Sequence, residues 1–157
     1  MDDKRTLLRH AVATVAYRGG KALRDAPPSF ATFRVGPTSR TPIEILAHAG
    51  DLFDWALSIL KGQQAWREST PLAWDAEVAR FFTTLGRFDA ALASDMALGD
   101  TPERLFQGPV ADALTHIGQL TLLRRVAGAP VKGENYHKAD IAIGRVGAEQ
   151  PAPRREF

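Results

Sequence analysis

The chain contains no cysteine. That excludes a disulfide scaffold, a thiolate metal site and a cysteine nucleophile together, and it is compatible with a reducing compartment. Long apolar runs are missing as well: nowhere do about 18 uninterrupted apolar residues occur, so no membrane span is expected. Charge of one sign is also lacking, since 20 Lys and Arg against 18 Asp and Glu leave a net charge of only +2. The Arg154-Arg155 pair near the C-terminus is too short to be a nucleic-acid patch, and no nucleic-acid partner is expected. Met1-Asp2-Asp3-Lys4-Arg5 leads into His10, Tyr17 and Arg18, not into an apolar signal core. The expectation is a soluble, cytoplasmic protein. Glycine-rich phosphate loops and Gly-x-Ser-x-Gly nucleophile turns are absent, as are internal repeats and low-complexity tracts.

What is present is helical periodicity. A length of 157 residues with 45% hydrophobic content suits one domain with a core, residues 1–157. Asp2 or Asp3 can cap a first helix in which Leu7, Leu8, Ala11, Val12 and Val15 recur at helical spacing to about Leu23, ahead of Pro27-Pro28. Residues 29–40 read as a loop with an extended stretch near Phe30 to Val35. Thr41-Pro42-Ile43-Glu44 is an N-cap, a first-position proline and a capping-box glutamate, and it opens a second helix to about Lys61 with Gly62 behind it. A second Thr-Pro step, Thr70-Pro71, predicts a third helix reaching about Met96, interrupted only mildly by Gly86. Thr101-Pro102-Glu103-Arg104 suggests a single turn. A fourth helix is expected from Pro109 to Ala127, stopped by Gly128 and Pro130. From Val131 the period fades, leaving residues 131–157 as a wrapped tail with one short helical piece near Lys138 to Ile143. The expected class is all-α: an up-down four-helix bundle with a C-terminal extension.

Asp112 and His116 stand four residues apart on the predicted fourth helix, so their side chains share one face and can grip one ion. His48 lies in Ile-Leu-Ala-His-Ala-Gly-Asp-Leu, an apolar helical segment distant in sequence. Packing the two helices side by side would assemble two imidazoles and one carboxylate, a donor set that suits a divalent transition metal and leaves coordination positions open. Leaving such groups buried without partners would cost roughly 1–3 kcal/mol each, and an ion satisfies all of them. Asp51 and Gln119, each three residues from one of these histidines, could orient an imidazole by hydrogen bonding. Tyr136 and His137 in the tail could fold over the mouth of the bundle. The bland readings are a first-turn acidic residue for Asp112, a surface position for His10, and core or dimer packing for Trp55, Trp66 and Trp74. Arg124 and Arg125 suit the negative end of the fourth-helix dipole.

The segments Ile-Leu-Ala-His48-Ala-Gly-Asp-Leu and Thr-His116-Ile-Gly-Gln119-Leu-Thr-Leu-Leu-Arg124-Arg125-Val-Ala-Gly resemble the DinB/YfiT-like superfamily of four-helix metalloenzymes. Members commonly carry one histidine on the second helix and a His-x-x-x-His pair on the last long helix, the second histidine preceding an x-Gly-Gln step. His48 and His116 match two of these positions, and Asp112 stands where the remaining histidine is expected. The resemblance covers roughly residues 5 to 128. It implies one divalent metal, zinc or nickel foremost, and a homodimer; some relatives use low-molecular-weight thiols. The carboxylate in place of an imidazole makes the donor set harder, which adds iron and manganese to the candidates. The expected activity is metal-dependent thiol transfer or metal-assisted hydrolysis of a small molecule. The competing expectation is a stress-related binding module with a structural or absent metal. His137 separates the two, because a fourth protein ligand would close the site.

Overall fold

Asp2 begins the first helix by accepting the Lys4 backbone N–H, and α1 then runs Asp3–Leu23. The computed structural model describes residues 2–157. The capping box forms at the next helix: the Thr41 hydroxyl accepts from the Glu44 N–H, while the Glu44 carboxylate accepts the Thr41 N–H at 2.7 Å. From there α2 spans Pro42–Leu60, and Gly62, with φ at +68°, takes the left-handed turn after it. The third helix, α3, covers Trp74–Ala93, and a single turn, α4, covers Pro102–Leu105. A π-helical turn, Phe106–Val110, joins α4 to α5, Ala111–Val126. Short 3₁₀ turns occur at Pro28–Phe30 and Tyr136–Lys138. Among the described residues there is no strand, only an isolated antiparallel bridge between Glu134 and Glu156. The class is all-α.

Three boundaries differ from the expectation. The Thr70-Pro71 step does not start a helix; α3 begins at Trp74, without a side-chain cap from Ala73. In place of a cap, the buried Glu77 carboxylate reaches back and accepts the Leu72 N–H at 2.8 Å. The helical segment before Asp112 also begins earlier than Pro109, because the π-helical turn carries the proline within a continuous helical path from Pro102. Proline has no N–H to donate and its ring crowds the preceding turn, and the wider π turn relieves both problems. The short tail helix lies at Tyr136–Lys138, ahead of the expected Lys138–Ile143.

Named contacts fix the helix directions. Lys4 pairs with Glu103, a Cβ on Gly19 would lie 3.4 Å from Ile117, and Arg124 donates to the carbonyls of Ala22 and Arg24, so α1 and α5 run the same way. Arg9 pairs with Asp89 and Arg5 donates to the Ser94 carbonyl, so α3 runs opposite to α1. Phe30 bridges from the start of α2 to Trp74, and Gly99 packs on the Ile59 carbonyl, so α2 and α3 are parallel. The order is therefore up, down, down, up, not the simple alternation expected. Chain length permits it. Residues 61–73 can span up to about 40 Å when extended, enough to return along the 19-residue α2, which is about 28 Å long.

The core is aliphatic and phenylalanine-rich. Phe53 touches Phe81 and Phe88, with ring centroids at 6.3 and 5.9 Å, and Leu46, Leu85, Leu92 and Leu120 fill in around them, nearly inaccessible to solvent. The tail closes over α1. Glu134, whose side chain is fully buried, accepts from the Tyr17 hydroxyl at 2.6 Å and from Lys21 at 2.8 Å. Burial and then Glu134 push the Tyr17 hydroxyl well above its ordinary value, so it stays a donor.

Two glycines test the packing in opposite directions. A Cβ on Gly19 would sit 2.8 Å from the Phe81 ring, which is 1% exposed and has nowhere to move. Gly86 has nothing within 4 Å of the same position. We expect Gly19→Ala to destabilise by about 1–2 kcal/mol despite the helix preference of alanine, and Gly86→Ala to stabilise by up to about 1 kcal/mol. Urea denaturation of both variants checks this; equal effects would show that α1 is not pressed against α3.

Candidate metal centre

The antiparallel contact of α2 with α5 builds the site. His48 lies in the second turn of α2, and further along the same contact Trp55 meets Gly108 in the π turn, where a Cβ would come 3.6 Å from the indole. One residue turns an α-helix by about 100°, so the extra residue of the π turn resets which face of α5 meets α2. Asp112 and His116, one turn apart on α5, then face His48.

The three residues each offer a donor atom, and these atoms all lie within 4.8 Å of one another. Asp112 Oδ1 is 3.3 Å from His116 Nε2, and Asp112 Oδ2 is 3.7 Å from His48 Nε2. The imidazoles stand nearly perpendicular, with centroids 4.6 Å apart at 84°. Around a tetrahedral ion with bonds of about 2.0–2.2 Å, neighbouring donors stand about 3.4 Å apart, so the two carboxylate distances bracket the spacing an ion requires. His116 Nδ1 is 2.9 Å from Gln119 Oε1. With Nδ1–H donating to that oxygen, the Nε2 lone pair points at Asp112 and His48. Burial, then the neighbouring His116 and Arg40, pushes the His48 imidazole below its ordinary value, which favours the neutral, ligating form. The two imidazole side chains are 18% and 12% exposed and the Asp112 carboxylate 46%. The donor cluster is thus walled by protein on the imidazole side and open to solvent on the carboxylate side.

The other candidates fall elsewhere. The expected bond from Asp51 to His48 is replaced by an ion pair: Asp51 is 3% exposed, receives the Arg80 guanidinium, and accepts the Ser69 N–H at 3.0 Å. Tyr136 stacks edge-on against Tyr17 at 6.3 Å and lies beneath Arg18 at 4.0 Å, on α1, away from the α2–α5 contact. His137 is exposed and is not among the clustered donors, so no fourth ligand comes from the tail. His10 is exposed, as its spacing suggested.

Two features were not visible in the sequence. Trp66, in the aperiodic return segment, packs edge-on against His48 at 5.3 Å and is backed by Trp55 at 6.0 Å, which gives the site an aromatic wall. Arg80 is the second. Its guanidinium pairs with Asp51, with Glu77 at 2.9 Å and with Asp54 at 3.0 Å, and also reaches the Ser69 hydroxyl and the Ala47 carbonyl. Burial works against that charge, but Asp51, Glu77 and Asp54 outweigh it and hold the guanidinium protonated. The Glu77/Arg80 spacing on an otherwise apolar helix face was the available signal.

Open clefts flank the donors. One of about 390 Å³ reaches His48 past Arg40, Ser69 and Pro71. The other, of about 450 Å³, reaches His116 past Arg40, Ile45, Gln119, Leu122 and Leu123. No family model, curated protein or solved structure matches the chain.

Replacing Arg80 by methionine would strand the buried Glu77 and Asp51 carboxylates. We expect Arg80→Met to cost about 3–5 kcal/mol in urea denaturation; a loss below about 1 kcal/mol would show the network to be peripheral.

Proposed function

We propose that this chain is a DinB/YfiT-like helical protein in which His48, Asp112 and His116 hold one divalent metal ion, zinc or nickel foremost, with iron or manganese compatible with the carboxylate. It acts on a small molecule by thiol transfer or metal-assisted hydrolysis, and pairs as a homodimer. The observation that carries this reading is the convergence of three donor atoms within 4.8 Å, with Gln119 Oε1 2.9 Å from His116 Nδ1, placed to accept its proton and leave Nε2 free to ligate. A cluster serving only as a hydrogen-bonded strut would need no such control of the imidazole lone pair.

The geometry also favours chemistry over a structural site. Structural sites use four protein ligands, and the fourth candidate, His137, is exposed on the tail. A divalent ion bound here would act as a Lewis acid toward a water, a thiol or a substrate oxygen. The chain's own groups do the rest. Trp66 packs against His48 and Trp55 backs it, Gln119 lies beside the His116 ring, and the half-exposed Asp112 carboxylate faces the side on which a substrate can approach.

Elemental analysis of the purified, untagged protein beside three variants tests the proposal. The expected result is about one ion per chain in the parent, none in His48→Ala or Asp112→Ala, and an affinity weakened about 10–100-fold in Gln119→Leu. A chelator should lower the melting temperature of the parent and leave that of His48→Ala and Asp112→Ala unchanged. A parent protein that binds none of zinc, nickel, manganese or iron would sink the metalloenzyme reading.

A further inference from the structure

Arg40 is the one residue that lines both clefts beside the donor cluster. It sits immediately before the N-cap of α2, its side chain is exposed, and among the described residues it makes no ion pair. Other cations of the bundle are engaged: Arg9 with Asp89, Arg80 with its three carboxylates, Lys21 with Glu134 and Glu156. The carboxylate next to Arg40 in the chain, Glu44, is already taken. It accepts the Thr41 N–H at 2.7 Å and the Thr41 hydroxyl at 2.8 Å, and it pairs with Arg34 at 3.6 Å. A planar guanidinium left unpaired at the rim of a cleft is shaped to receive a carboxylate through two parallel N–H bonds.

The cleft on the His116 side supplies the rest of a recognition site. Between Arg40 at the rim and His116 at the inner end, its wall is Ile45, Leu122 and Leu123, and Leu122 is 60% exposed. An exposed leucine beside a free cation and a candidate metal site fits a ligand with an apolar body and one anionic end. A phosphate dianion fits less well, because Arg40 is the only cation lining this cleft and the Asp112 carboxylate stands beside His116 at its inner end.

We propose that Arg40 is a specificity-determining residue and that the small molecule handled at this site is an aliphatic or aromatic carboxylate, its acid on Arg40 and its body along Ile45, Leu122 and Leu123. This deepens the metal-site reading and rests on it for the inner end of the cleft, while Arg40 and the apolar wall are present whether or not an ion binds.

The test uses hexanoate and hexanamide as matched probes, titrated by NMR into the full-length protein after chelator treatment and again with zinc supplied. The parent should prefer the acid over the amide in both states. Arg40→Gln should weaken hexanoate about tenfold and leave hexanamide unchanged, whereas Leu122→Asn, at an exposed position that folding does not require, should weaken both. Equal binding of acid and amide by the parent, or an acid preference that survives Arg40→Gln, overturns the proposal even where zinc binds. An Arg40-dependent acid preference in a protein that takes up none of zinc, nickel, manganese or iron supports the proposal and instead overturns the metal reading.

Discussion

One partly buried guanidinium organises half of this molecule. Arg80 sits among Asp51, Glu77 and Asp54, two of these carboxylates almost inaccessible to water. Neither Asp51 nor Glu77 could be buried alone, because an unpaired charge in that setting is far costlier than the pair is worth. The network draws on separate parts of the chain: Asp51 and Asp54 from α2, Glu77 and Arg80 from α3, and Ser69 and Leu72 from the segment between them. Satisfying all of it brings α2 and α3 together as parallel neighbours and lays the return segment against their flank. The aromatic wall of the candidate site follows, since Trp66 belongs to that segment and reaches His48 only because it is held there.

A second arginine performs a related task at the opposite corner. Arg124, expected from its position to serve the dipole of its own helix, is 5% exposed and donates to the carbonyls of Ala22, Arg24 and Asp25 at the end of α1. The Ala22 carbonyl is one that a helix end leaves without an intrahelical partner, and the other two belong to the turn that follows. α1 stops at Leu23 without a glycine, and Arg24 follows in an extended conformation. Asp25, with φ at +54°, takes the left-handed turn that follows, and the cation supplied from α5 ties that turn down, locking α1 parallel to α5.

The parts of this architecture that were legible in the sequence are those encoded locally. The capping box at Thr41 and Glu44, the left-handed glycines at Gly62 and Gly128, and the i,i+4 relation of Asp112 to His116 all depend on residues within one or two turns of each other. Helix direction was not legible, because periodicity says which residues share a face and nothing about which way the next helix runs. Trp66 was missed for the same reason: it belongs to no periodic segment, and its neighbour His48 is brought to it by contacts made elsewhere. Asp51 was misassigned because its spacing from His48 suits a hydrogen bond, while the stronger demand came from Arg80 across the helix contact. The start of α3 was misplaced because Thr70-Pro71 carries the chemistry of a cap, yet the buried Glu77 captures the Leu72 N–H and delays the first turn.

The two halves of the candidate site therefore differ in how firmly they are built. His48, Asp112 and His116 project from long helices packed into a phenylalanine-rich core, and Gln119, on the same helix as His116, fixes its ring. Groups on such elements keep their mutual geometry to within the tolerance that coordination demands. The opposite boundary is made of residues outside regular structure. Trp66 lies on the extended return segment, and Arg40 lies at the end of the loop before α2. These are the positions at which side chains can change without disturbing the donor set, and loops carried by a rigid scaffold are where binding specificity usually resides. The protein thus separates a fixed electrostatic centre from an adjustable rim. On the proposed reading Asp112 belongs to the fixed part and sets the chemistry of the centre, while the choice of molecule falls to Arg40 and the aromatic wall.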